Sequence, residues 1–140
     1  MDRKIIDHKF ESLRRCVERI ISKQPFTVKK LQSDFDLQDI LSVNLERSVQ
    51  NAIDIAMIVL SELDSTVPNT MAEIFDELRR KKVIGAHLQK RMKKAVGFRN
   101  LLVHEYAEID WKIVYLIVTK HLVDFRKYIG EIEGWLEKNS

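Results

Sequence analysis

The sequence predicts an all-α protein, an up-and-down bundle of four to five helices, on three observations. Only four Gly and two Pro interrupt its 140 residues, too few breakers for a chain of many short strands and turns. Between those breakers, apolar residues recur at alternating spacings of four and three. Apolar residues make up 45% of the chain and charged residues 32%, which excludes a disordered or low-complexity segment. At this length a chain buries about two-thirds of its unfolded surface, so residues 1–140 are expected to form a single domain.

Each helix follows from its own pattern. Ile6, Phe10, Leu13, Val17 and Ile20 place one apolar stripe on a helix over about 3–23, ended by Pro25, with a loop over 24–36 after it. Leu41, Leu45, Val49, Ala52, Ala56, Leu60 and Leu63 predict a long helix over about 36–64, with Asp34 or Asp36 as its N-cap. Pro68 and Asn69 mark a turn. Thr70 then caps a shorter helix carrying Met71, Ile74, Phe75 and Leu78, and Glu73 completes a capping box. Gly85 breaks the chain before a helix over about 86–103 with Leu88, Met92, Ala95, Val96 and Leu102.

The last segment is the most regular. Trp111, Tyr115, Val118, Leu122, Phe125, Ile129, Ile132 and Leu136 recur at heptad spacing, which predicts one continuous helix of about seven turns, started by Asp110. The β-branched run from Ile113 to Thr119 favours a strand by propensity, but the heptad continues through it and the period decides. Ile113, Val114 and Ile117 lie off the seam. A helix apolar nearly all round needs cover on several sides, in the bundle centre or at a subunit interface.

Composition also narrows the chemistry. Cys16 is the single cysteine, which excludes an intrachain disulfide and a cysteine-based metal site. No run of eighteen apolar residues occurs, and the start, Met1-Asp2-Arg3-Lys4, lacks the apolar core of a signal peptide; a cytoplasmic protein without membrane association is expected. His8, His87, His104 and His121 show none of the i, i+4 pairing of helical metal sites, and no glycine-rich phosphate loop or nucleophile elbow occurs. No metal and no cofactor are expected.

The net charge of +3 hides a lopsided distribution. No acidic residue occurs between Glu77 and Glu105, while Arg79, Arg80, Lys81, Lys82, Lys90, Arg91, Lys93, Lys94 and Arg99 all fall there. Clustered cations attract phosphate backbones by counterion release, so Arg79, Arg80, Lys90, Arg91, Lys93 and Lys94 are candidates for binding RNA. A charge run by itself equally fits a solvated helix face.

The end of the block is more specific. Gly97-Phe98-Arg99-Asn100-Leu101-Leu102-Val103-His104-Glu105-Tyr106 gathers an arginine, an amide, an imidazole and a phenol. Histidine is the side chain suited to take a proton from a ribose 2′-OH near neutral pH, which then attacks the neighbouring phosphate. Arginine stabilises the charge that builds on the phosphorane. His104 and Arg99 fit those catalytic roles, with Asn100 and Tyr106 supporting, and the need for a 2′-OH makes RNA the substrate. Five residues apart on one helix, Arg99 and His104 point about 140° apart. Either the helix ends near Val103 and lets His104 and Tyr106 swing in the turn before Asp110, or two subunits bring their motifs together across a twofold axis; both are expected here.

At these residues the chain resembles the HEPN domains, and among them the HepT-type toxins paired with minimal nucleotidyltransferases in type VII toxin–antitoxin systems. Arg99, His104 and Tyr106 match the family's Arg-x4-His-x-Tyr pattern. The stretches Leu45-Glu46-Arg47-Ser48-Val49-Gln50 and Ile53-Asp54-Ile55-Ala56 resemble its second helix, Pro68 through Phe75 and Leu78 the segment after it, and Ile109-Asp110-Trp111 the start of its last. The resemblance implies a helical homodimer whose two motifs meet in a cleft and cut tRNA or mRNA as an endoribonuclease. It also implies a nucleotidyltransferase antitoxin that silences the toxin by transferring AMP onto Tyr106. Asp54 and Arg47, at matching positions of the second helix, are either structural or border the cleft, and Asp54 is expected to pair with Arg99. Two other readings stay open: a non-catalytic helical module for a nucleotidyltransferase or a nucleotide, and a bundle that uses Arg79 to Lys94 only for backbone contacts.

Overall fold

The computed structural model describes residues 3–24, 27–66 and 68–139. Pro25, expected to end the first helix, and the Met1-Asp2 start lie outside them.

Five helices of ten residues or more form the bundle: α1 (Arg3–Ser22), α3 (Phe35–Ser61), α4 (Met71–Arg80), α5 (Ala86–His104) and α7 (Val123–Lys138). Two six-residue helices, α2 (Val28–Ser33) and α6 (Trp111–Leu116), complete it, and no strand occurs among the described residues. The all-α expectation is met. α3 is the axis, because its apolar residues are not confined to one stripe: Leu41, Leu45, Val49, Ala52, Ile53, Ile55, Ala56 and Val59 are all buried. It therefore packs against α1, α2, α4, α5 and α7. Tyr128 of α7 anchors the core, donating its hydroxyl to the Ala52 carbonyl at 2.8 Å while its ring meets Phe75 edge to face.

The caps set the helix starts. Asp34, not Asp36, caps α3 by accepting from the Leu37 N–H at 3.0 Å. Thr70 caps α4 at 3.2 Å from the Glu73 N–H, and Glu73 reaches back to the Asn69 N–H at 3.0 Å. α4 ends in a Schellman turn: the Val83 N–H donates to the Leu78 carbonyl, with Lys82 in the left-handed region at φ 62°. Asp110 caps α6 through the Lys112 N–H at 2.9 Å.

Two expectations are corrected. The segment 24–36 is not all loop, because Thr27 caps α2 and Leu31 fixes it to the core. The last helix is not continuous either: Ile117–His121 forms a π-helical turn between α6 and α7. There the Gln24 side-chain amide donates to the Val118 carbonyl at 2.7 Å, and the Thr119 hydroxyl to the Tyr115 carbonyl at 2.6 Å. Beyond the turn the expected seam is buried, from Leu122 through Leu136; before it, Val114 occupies the core while Trp111 and Tyr115 are half-buried. Ile113 and Leu116 are 47% and 45% exposed, so this stretch does not sit at the bundle centre.

Candidate active site

α5 carries the motif, and its neighbours decide what each side chain faces. In the cationic block, much of the charge is already engaged within the chain. Arg91 bonds Asp124 at 2.8 Å, Lys93 bonds Asp76 at 3.0 Å, and Arg80 grips Glu77 one turn back. Burial pushes the Asp76 carboxyl up, but Gln89 and Lys93 together hold it below its ordinary range. Arg79 donates to Gln89 at 2.8 Å. Lys90 and Lys94 remain exposed, with no hydrogen bond or ion pair among the described residues.

Arg99 is half-buried and held from α3. Its Nη2 donates to Gln50 Oε1 at 3.2 Å, and Nη1 lies 3.5 Å from Asn100 Oδ1 and 3.7 Å from Met71 Sδ. Its Nε is buried and has no hydrogen-bond partner among the described residues. The Asp54–Arg99 pair expected from the sequence does not form. Asp54 takes Lys9 of α1 at 2.9 Å and the Gln50 amide at 2.9 Å, because it lies one turn beyond Gln50 on the side of α3 that faces α1. Arg99 lines a groove of about 350 Å³ together with Leu45 and Val49 of α3, Phe98 of α5, and Ile113, Ile117 and His121 near the π turn.

His104 is elsewhere. It is the exposed last residue of α5 and does not line that groove. α5 ends at His104, one residue past the expected Val103, which keeps His104 in helical register with Arg99 and about 140° from it within one chain. Tyr106 does swing back. A 3₁₀ turn, Tyr106–Glu108, returns it to α3, where its hydroxyl donates to Asp39 Oδ1 at 3.1 Å and its ring meets Trp111 edge to face at 5.7 Å. Burial pushes the Tyr106 phenol above its ordinary range; Ser42 pulls it down, while the bond to Asp39 and the charges of Asp39 and Glu46 add to the rise. Leu101 and Val103, between Arg99 and His104, are exposed.

Gln50, Lys9 and Asp39 were not singled out from the sequence. Gln50 and Asp54 stand at i, i+4 on a helix, a spacing at which an amide and a carboxylate meet, and that signal was available. Lys9 and Asp39 have no local signal, since their partners lie 45 and 67 residues away. Among the described residues, no group of three His, Cys, Asp or Glu stands close enough to hold a metal ion. No described helix is long and apolar enough to cross a membrane.

An arginine presented from an all-helical bundle, with a histidine at the end of the same helix and a tyrosine folded behind it, defines a protein of the HEPN class. The chain matches the family described as Ribonuclease HepT-like over residues 9–132, and it belongs to that family. It is 34% identical to the mRNA nuclease HepT of Shewanella oneidensis over 93% of this chain and 97% of that protein. It is 30% identical to the tRNA nuclease HepT of Aphanizomenon flos-aquae, over 94% and 90% of the two. Its fold also matches the tri-AMPylated HEPN toxin of Shewanella oneidensis, solved in complex with MNT antitoxin. The TM-score is 0.88 and the identity 33%, over 96% of this chain and 99% of that one.

Proposed function

We propose that residues 1–140 act as one domain, a homodimeric endoribonuclease toxin. In this reading the His104 imidazole of one subunit takes the proton of a ribose 2′-OH. The oxygen attacks the adjacent phosphorus, and the 5′-oxygen leaves and takes a proton from water, giving a cyclic phosphate and a 5′-hydroxyl end. Arg99 bears on the phosphorane oxygens, Asn100 and Tyr106 supply hydrogen bonds, and Lys90 and Lys94 lead the phosphate contacts of the block from Arg79 to Lys94.

The observation that carries this reading is Arg99 itself. A neutral amide holds its guanidinium, so its charge is not cancelled, and Arg99 lines an open groove. A phosphate seated in that groove would meet this uncancelled charge. The divergence of His104 within one chain and the exposed Leu101, Val103, Ile113 and Leu116 both favour a second copy, which would cover the apolar surface and supply the missing imidazole. The relatives' complexes support a nucleotidyltransferase antitoxin as partner. Its action would be attack of the Tyr106 oxygen on the α-phosphorus of ATP, release of pyrophosphate, and loss of the phenolic proton to a base. The adenylyl group then carries a negative charge near Arg99 and fills the phosphate site.

Induced expression tests the assignment. Wild type is expected to arrest growth, whereas Arg99→Ala and His104→Ala, each folded, are not; arrest by both variants sinks it. The same divergence favours a second reading, a non-catalytic module for the nucleotidyltransferase, which predicts that purified protein leaves RNA intact while binding that partner.

A further inference from the structure

Arg99 is the end of a four-residue chain that crosses three helices. Lys9 of α1 donates to one oxygen of Asp54, at 2.9 Å. Gln50 donates its amide to the other oxygen, at 2.9 Å, and accepts from Arg99 at 3.2 Å. The chemistry fixes the direction of this chain. An ionised carboxylate only accepts, so Asp54 draws the NH₂ end of Gln50 towards itself. The carbonyl end of Gln50 then has to face Arg99, which only donates. Turning the amide over would break both bonds at once.

We infer that Gln50 is a positioning residue for Arg99, held in its working orientation by Asp54 and Lys9. This rests on the reading of Arg99 as catalytic. The arrangement solves a specific problem. A carboxylate in direct contact would hold the guanidinium more tightly but cancel the charge needed at the phosphorane. Here the negative charge of Asp54 is answered by Lys9, and a neutral carbonyl meets Arg99. The arginine is held in place while its charge stays available. Asp54 therefore acts on the site at one remove and is not a catalytic residue.

The test is cleavage of total bacterial RNA by the full-length protein under single turnover, with Arg99→Ala run beside the variants. Gln50→Leu, which has no acceptor, is expected to slow cleavage about 10–100-fold, with the half-saturating concentration within about threefold of wild type. Gln50→Glu keeps an acceptor but adds charge, and is expected to be slow as well. If Gln50→Leu melts early, Asp54→Asn substitutes for it, because it leaves Gln50 in place but frees its amide to turn. Guanidinium ¹⁵N–¹H spectra give a readout apart from activity: separate Nη signals for Arg99 in wild type, merged in Gln50→Leu or Asp54→Asn. Wild-type rates in the Gln50 variants with Arg99→Ala inactive overturn the positioning role alone, as do merged signals in wild type. Arg99→Ala cleaving at the wild-type rate overturns both this and the catalytic assignment.

Discussion

Asp39 shows how much a single side chain contributes at the motif. It accepts the Tyr106 hydroxyl and, with Glu46 nearby, disfavours the phenolate. Asp39→Asn is therefore expected to lower the Tyr106 pKa, read from ¹³C-tyrosine NMR across an alkaline titration; an unchanged or higher value would refute the contact. The same bond has a meaning for modification. A tyrosine esterified at its oxygen has no proton to donate, and a phosphodiester beside Asp39 and Glu46 meets like charge. Adenylylated Tyr106 would have to leave Asp39, carrying its new group out towards the cleft.

At the scale of elements, Tyr128 ties α7 to α3 with no solvent contact. Burial raises its pKa well above the ordinary value, so the folded state holds the proton more tightly than the unfolded chain. The stability this contributes is complete below the unfolded pKa of about 10 and is lost as pH climbs above it. Tyr128→Phe should cost about 1 kcal/mol at neutral pH in urea unfolding, and should flatten the decline of stability at alkaline pH. What the sequence reveals follows the same logic of contact range. The stripes of α1, α3, α4 and α5 were legible because each repeats over several turns, and the caps Asp34, Thr70 and Asp110 because they act within three residues. α2 was hidden because six residues with one buried side chain, Leu31, make no period. The π turn was hidden because the heptad reads straight through it. The motif was legible as composition, yet the Lys9–Asp54 pair that overturned an Asp54–Arg99 bond depends on two helices meeting, which no local pattern encodes.

For the whole molecule, the proposed assembly rests on the exposed apolar surface around α6, and the proposed ligand on the charge. Ile113→Glu is expected to shift the protein from dimer to monomer in sedimentation with its helical signal intact, and to lose cleavage although Arg99 and His104 are untouched. Retained cleavage by a monomer would remove the need for a second subunit. Within the cationic block, Lys94 has no ion pair among the described residues, whereas Lys93 is bound to Asp76. Lys94→Ala should weaken RNA binding and reduce its salt dependence more than Lys93→Ala, measured by titration across ionic strengths.

The π turn ties these scales together through residue count. The turn holds one residue more than a regular helix would, so a continuous α-helix of the same length would rotate everything ahead of it by about 100°. Val114 would leave the core and Tyr115 would take its place, and the Asp110 cap and the Trp111 ring behind Tyr106 would swing with them. The extra residue of this turn thus acts as an angular setting for the motif, one that a regular helix would lose without changing a single motif side chain.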